Sequence, residues 1–330
     1  MAQSKNRNSI LVGTLGLGAL AVGMLAASPI LGMVSWPGEL ASSGRPHVAV
    51  GLLGTAVLCL AGGRKWLSGA LVALALLLGA DVLWTGLVSA QTEARAAIST
   101  DQPMARVMFS NVLIHNSDAA DLGAWVEAQQ PDVLVLTEVT ERHVEQLEAV
   151  MAGFAHRVLE PRPHALGMVL YSRFPIVEAE VVTLTDDTLS EGGPITVIAT
   201  LETDVGPLTV AGVHPFPPLM PGSMTARDRQ LDSAADHLWL RDGPLVVVGD
   251  FNATPWSPAL RTFLDELDLH GLNVAATWPV WFDFAGIPID HALVSENLII
   301  THIETGPNIG SDHRPVMIDV ALDQRSPGTP

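Results

Sequence analysis

The sequence predicts an α/β domain carried behind about three membrane-spanning helices. Residues 1–96 hold long apolar runs with almost no charge. From Arg106 onward, short apolar runs of strand length alternate with stretches of helical period. The chain of 330 residues has room for one large domain or two medium ones. The change in character near residue 96 divides it into a membrane anchor, 1–96, and a soluble part, 97–330.

The anchor comes first. SILVGTLGLGALAVGMLAASPILGMV (9–34) carries no charge and exceeds the roughly 20 residues a span needs. HVAVGLLGTAVLCLAGG (47–63) is shorter and glycine-rich, and LSGALVALALLLGADVLWTGLVSA (67–90) is long with one acid, Asp81. Lys5 and Arg7 precede the first run, and Arg64 and Lys65 separate the second from the third. Basic residues stay on the cytoplasmic side. The N-terminus is then cytoplasmic, the chain multi-pass in the cell membrane, and everything after about residue 91 extracytoplasmic. Trp36 and Trp66 lie at span ends, where aromatic belts form. A cleaved signal peptide is the competing reading of the first run, with small residues at Ala26, Ala27 and Ser28. Its apolar part is long for that, and cleavage would leave 97–330 on the same side. Asp81 inside a span marks either function or helix packing.

Residues 91–104, QTEARAAISTDQPM, form a polar connector. ARVMFSNVLIH reads as a strand, and SDAADLGAWVEAQQ as a helix opened by a Ser/Asp cap with Leu122, Trp125 and Val126 on one face. PDVLVLTEV is a buried strand, and TERHVEQLEAVMAGF a helix capped by Thr140. Strands follow near 165–174, 176–185, 194–203 and 207–214, then a helix at about 222–241 and the strand of LVVVGDFNATPWSP. SPALRTFLDEL is a short helix, strands near 287–295, 298–305 and 314–322 close the chain, and the tail DQRSPGTP reads as frayed.

Composition limits function. The one cysteine, Cys59, lies in an apolar run, which excludes a disulfide framework and a cysteine zinc site. Residues 97–330 carry 32 acids against 11 arginines, a net of −21, and no lysine follows Lys65. Such a surface repels polyphosphate, so general nucleic-acid binding is disfavoured.

The polar residues inside apolar strands are the informative ones. Asn111 sits in SNVLIHN, Glu138 ends VLVLTEV, and His214 ends TVAGVH. Asp250 and Asn252 end the strand of LVVVGDFN; at i and i+2 they face the same side. Asp290 and His291 fall in GIPIDHALVS, and Asp312 and His313 precede the last strand in GSDHRPVMIDV. Each alone has an ordinary explanation as a cap, a turn residue or a solvated charge. Together they describe one shared site at one edge of a sheet.

These residues carry a resemblance. GDFNATP and SDHRPV, with the Glu of LVLTEV, the Asn of SNVLIHN and the segment GMVLYSRFPI, make residues 104–322 similar to the endonuclease/exonuclease/phosphatase superfamily. The resemblance implies a four-layer αββα sandwich, two packed mixed sheets flanked by helices, and cleavage of phosphoester bonds with a divalent metal, usually magnesium. Phosphoryl transfer needs charge neutralisation on the phosphate oxygens and an in-line nucleophile, and magnesium prefers hard oxygen ligands. The resemblance makes Glu138 the principal metal ligand, with Asn111 and Asp312 completing the shell. It gives Asp250 the attacking water, Asn252 the phosphate or the developing pentacovalent centre, and His313 a phosphate contact or the proton, oriented by Asp290. His214 matches a phosphate-contacting histidine. Manganese suits the same oxygen-rich shell.

Two departures narrow the reading. The position two after Asn111, acidic in some nuclease members, is Leu113. Long basic loops that grip DNA are missing, which favours a smaller substrate; Arg162, His164, Arg173, Arg227 and Arg229 remain as phosphate-contact candidates. Trp278, Trp281, Phe282 and Phe284 crowd ahead of Asp290, as core or as a lipid-touching rim. Three spans followed by such a domain resemble the VanJ-type membrane proteins linked to teicoplanin resistance. That resemblance implies undecaprenyl pyrophosphate or another lipid phosphate as substrate. A surface-tethered nuclease is the alternative enzyme, and a catalytically idle membrane binding protein the alternative of another class.

Overall fold

The computed structural model describes residues 2–96, 104–184 and 193–323. Part of the polar connector (97–103) and the tail after 323 lie outside the described residues, as do the side chains of Lys5, Arg7 and Phe284. The chain divides into two compact units, Met1–Val88 with Trp256–Arg261, and Ser89–Pro255 with Thr262–Pro330.

The first unit is helical: α1 (Ala2–Ala27), α2 (Pro29–Val34), α3 (Trp36–Ser43), α4 (Arg45–Ala61) and the start of α5 (Lys65–Ala96). Among the described residues, two helical stretches are long and apolar enough to cross a membrane, Ile10–Ala27 and Lys65–Val88. The expected first span breaks at Ser28, where Pro29 cannot continue the ladder and Ser28 caps α2 through Leu31 N–H. The expected second span is corrected: α4 has 17 residues and meets α3 at an 85° bend, so only the bent pair taken together would make a third crossing. The hydrophobic core of this unit gathers Leu52, Ala56, Cys59, Leu67, Leu71 and Leu78. One oxygen of Asp81, Oδ2, is ion-paired to Arg45 and lies 3.1 Å from Arg261 Nη2. The guanidinium of Arg45 also donates to Ala26 O at 2.7 Å and to Ser42 Oγ at 3.0 Å. Asp81 therefore packs helices.

The second unit is a four-layer α/β sandwich. Its strands are β1 (Ala105–Asn111), β2 (Val133–Thr137), β3 (His156–Glu160), β4 (Met168–Ser172), β5 (Ile176–Thr183), β6 (Ile195–Thr203), β7 (Gly206–Val213), β8 (Leu245–Asp250), β9 (Leu269–His270), β10 (Asp290–Ser295), β11 (Leu298–Thr305) and β12 (Val316–Leu322). Helices α6 (Ala120–Gln129), α7 (Glu141–Met151), α8 (Pro221–Trp239) and α9 (Pro258–Glu266) connect them. One sheet runs β11-β12-β1-β2-β4-β3, the other β5-β6-β7-β8-β10-β9. Among the described strands, only the central pairs, β1 with β2 and β7 with β8, are parallel.

Period-two alternation builds the layers. Val107 and Phe109 of β1, Val133 and Val135 of β2, and Val246 and Val248 of β8 point into the core between the sheets. Met108, Leu134 and Leu136 point the other way, onto Leu122, Trp125 and Val126 of α6 and Leu147 and Met151 of α7. The short strands β3 and β9 have no counterpart in the expected element list. HRVLE is half-exposed along its length, so it lacks the apolar run that marks a strand from sequence. The cap of α6 also differs: Ala119 holds the N-cap position, and Asp118 accepts from Ala120 N–H instead.

Candidate active site

The strand ends converge. In the parallel pairs, β1 and β2 finish together with Asn111 opposite Thr137, and β7 and β8 with Val213 opposite Gly249. β10 runs antiparallel to β8 and so begins at the same edge, Asp290 opposite Asp250. Residues one or two steps beyond these ends, Glu138, His214 and Asn252, fall on that edge. Gly249 of GDFN is required by packing: a Cβ there would stand 2.0 Å from Val213 O. Glu138 and Asn252 have left-handed backbones, φ +60° and +48°. Asn tolerates that region; for Glu and for Leu113, also at +60°, it is uncommon and costs energy.

Asn111 is the bridge between the two sheets. Its amide nitrogen donates to Glu138 Oε1 at 3.0 Å and to Asp250 Oδ2 at 3.1 Å, while its Oδ1 accepts from Leu113 N–H at 3.0 Å. The other Glu138 oxygen accepts from Ile114 N–H at 2.9 Å. Asp250 is buried, and its Oδ1 accepts from Asn252 N–H at 2.9 Å. Two imidazoles face the same Asp250 oxygen, His214 Nε2 at 3.6 Å and His313 Nε2 at 3.7 Å. The other ring nitrogen of His313 bonds Asp290 at 2.9 Å and 3.1 Å. Asp290 is wholly buried, and Thr277 Oγ1 accepts from its backbone N–H at 3.3 Å.

Electrostatics place a proton on His313. Burial disfavours its charged form, but the Asp290 and Asp250 carboxylates override that and raise the pKa to about 10. Burial also pushes the Asp290 carboxyl up, against His313. The pair holds one proton, and the second carboxylate, Asp250, keeps it on the imidazole. His291, buried behind the site, is pushed down to about 4, because desolvation outweighs its bond to Ala253 O.

The eight expected site residues divide by geometry. Asn111, Glu138, Asp250, Asp290, His214 and His313 form one contiguous set. Asn252 joins through its backbone N–H, while its side-chain amide donates to Pro215 O at 3.0 Å. Asp312 is turned to Trp278, whose indole N–H donates to Oδ2 at 2.9 Å. The tightest metal-competent group also differs from the expected one. Ligand atoms of Asp250, Asp290 and His313 lie within 4.8 Å of one another, and neither Glu138 nor Asp312 belongs to that group.

Several residues support the site from behind it, and two of the arginines expected to contact phosphate, Arg227 and Arg173, are engaged elsewhere. Ser311 Oγ donates to Asn111 O at 2.7 Å and accepts from His313 N–H at 3.1 Å, tying the SDHRPV turn to the end of β1 within the first sheet. Arg227 is fully buried and donates to Asn252 O at 3.2 Å, so it shapes the loop that carries Asn252. Gln230, one turn on, accepts from Phe216 N–H at 2.8 Å behind His214. Arg173 follows the end of β4 that pairs with Val133, at the opposite edge, and stacks on Phe154.

Comparison with known proteins agrees with this geometry. A sequence profile described as Endonuclease/Exonuclease/phosphatase family matches residues 108–313. No curated protein matches the chain. Among solved structures, an endonuclease/exonuclease/phosphatase from Beutenbergia cavernae is 22% identical, with 67% of this chain and 72% of that one covered and a TM-score of 0.55. The human Nocturnin catalytic domain with bound sulfate anion is 22% identical over 68% of this chain and 97% of its own, TM-score 0.56. D. rerio TDP2 complexed with single-strand DNA product is 14% identical over 66% and 99%, TM-score 0.54. The two-sheet sandwich with carboxylates and imidazoles gathered at one edge defines a metal-dependent hydrolase of phosphoester bonds. The chain belongs to the Endonuclease/Exonuclease/phosphatase family.

Proposed function

We propose that the chain is a membrane-anchored phosphoester or pyrophosphate hydrolase of the VanJ type. Its catalytic domain is extracytoplasmic, and its substrate is a lipid phosphate, foremost a polyprenyl pyrophosphate. The observation that carries the substrate class is charge. A domain with 32 acids, 11 arginines and no lysine has no basic track for a nucleic-acid backbone. Two helices long and apolar enough to span a bilayer would hold it where lipid substrates are concentrated.

The site fits a divalent cation, since it offers hard carboxylate oxygens from Glu138 and Asp250 bridged by one amide. Glu138 would hold it, with Asn111 orienting the carboxylate; Asp312, expected to complete the shell, is turned to Trp278. The alternative cradle is Asp250 with Asp290 and His313, where His313 Nδ1 bonds Asp290 and Nε2 faces Asp250. When bound, magnesium or manganese neutralises charge on the phosphate oxygens. Asp250, accepting from N–H groups of Asn111 and Asn252, orients a water and takes its proton. His313, protonated and fixed by Asp290, contacts the phosphoryl oxygens and donates to the leaving oxygen. His214 adds a second contact facing the same Asp250 oxygen, and Asn252 steadies Asp250 through its backbone N–H.

The test is the full chain in detergent with magnesium, offered a polyprenyl pyrophosphate, a phospholipid and plasmid DNA. Phosphate release from the first with intact DNA is expected. DNA cleavage with no release from either lipid would overturn the reading in favour of a tethered nuclease. Inertness toward all three would favour the idle binding protein.

A further inference from the structure

Two uncharged runs frame the active-site edge. Residues 215–226, PFPPLMPGSMTA, follow His214 at the end of β7, and residues 271–282, GLNVAATWPVWF, precede Asp290 at the start of β10. β7 and β10 lie on either side of β8 in the second sheet. Both runs therefore leave from the edge that holds Asp250, one on each flank. Water would ordinarily drive such side chains inward, yet Leu219 is 71% exposed, Met220 62%, Trp281 70% and Phe282 47%. Trp278, in the same run, is anchored to Asp312, so that run is fixed at its base while its tip stays out.

Another apolar pair, Trp239 and Leu240, ends α8 at the opposite edge. It differs in its neighbours: Trp239 shares a cavity with Asp232, Asp236 and Glu266. Three carboxylates there oppose contact with a bilayer, whereas residues 215–226 carry no charge and the second run meets a single acid, Asp283, only after Phe282.

We infer that Leu219, Met220, Trp281 and Phe282 form a two-pronged wedge that enters the surface of a phospholipid bilayer beside the catalytic edge. Resting on the membrane-anchored reading above, it names the surface from which that site draws substrate. The occupant is the bilayer for two reasons. The chain's own apolar helices would tether the domain to one. A net charge of −21 with no lysine leaves apolar contact as the means of holding that surface. The apolar face of an interfacial amphipathic helix sits roughly 5–10 Å into the headgroup and acyl boundary, the depth taken for these side chains. A buried phosphate at the edge between the prongs would then need no full extraction from the membrane.

The test measures depth. In a Cys59→Ser background, single cysteines replace Leu219, Trp281 or Val205, and the full chain is spin-labelled in phosphatidylcholine nanodiscs. Val205 is exposed in the β6–β7 turn, at the far edge, and is the aqueous control. Labels at 219 and 281 should collide with dissolved oxygen and be shielded from a water-soluble nickel chelate; the label at 205 should be open to the chelate. Met220 and Phe282 give an independent second pair if either first variant misfolds. Equal chelate access at 219, 281 and 205 would overturn the wedge. So would spin–spin broadening that disappears on dilution with unlabelled chain, since the prongs would then meet a second copy. Because the readout is position, a chain inactive on every lipid would sink the functional reading and leave the wedge standing.

Discussion

Nδ1 of His313 lies 2.9 Å from Oδ2 of Asp290, while Nε2 of the same ring faces Oδ2 of Asp250 at 3.7 Å. One imidazole thus stands between a carboxylate that holds it and a carboxylate it shares the active space with. All three groups are buried, so their charges interact with little screening. His313 is charged at neutral pH for this reason, with its pKa raised to about 10.

Asp290→Asn removes the orienting anion and keeps the shape. By analogy with the serine-protease triad, where the corresponding change costs about 10⁴-fold, kcat should fall by roughly 10²–10⁴-fold. The pH profile gives the sign. An acid whose pKa is about 10 is protonated below that value, so native activity should be lost as pH rises through it. In Asp290→Asn that limb should move toward neutrality. A profile that keeps its alkaline limb in place would refute His313 as the acid.

Glu138→Gln distinguishes the two cation cradles. It weakens the carboxylate that Asn111 and Ile114 orient. The magnesium concentration for half-maximal activity should rise, by about 10–100-fold on the scale of metal-site perturbations. Asp290→Asn should leave that concentration unchanged while lowering kcat. Titrating magnesium against both variants checks this. The reverse pattern would assign the cation to Asp250, Asp290 and His313.

His291 makes acid stability specific. Its folded pKa is depressed to about 4, below the unfolded value near 6.5, so the unfolded chain binds the extra proton. The contribution is complete above about pH 6.5 and is lost as pH falls toward 4, amounting to about 3 kcal/mol. Thermal midpoints measured from pH 7 to pH 4 should drop accordingly. His291→Gln, which can still donate to Ala253 O but does not titrate, should flatten the part of that drop that His291 causes. An unchanged slope in the variant would remove His291 as the cause.

Much of the second unit is legible in its sequence because apolar runs and their punctuation are local. VLVLT, LVVVGD and MVLYS are strands buried on both faces, and they announce themselves by composition alone. HRVLE does not, because a half-exposed strand needs a neighbour to identify it, here β4. The middle membrane segment misleads for the opposite reason. Its apolar composition matches a span, but Gly44 and the 85° turn between α3 and α4 are backbone geometry that hydropathy does not see.

The site divides along the same line. Sequence by itself determined which side chains end the strands, since an Asn, Glu, His or Asp after an apolar run is visible without a structure. It also determined the acidity of the domain and the absence of lysine. Only the tertiary structure decided that one amide of Asn111 would join Glu138 to Asp250, that Asp312 would turn to Trp278, and that Arg227 would be spent on the backbone of Asn252. Those choices depend on two sheets packing face to face, which brings together residues more than a hundred positions apart and sets each side chain's angle by contacts the local sequence does not contain.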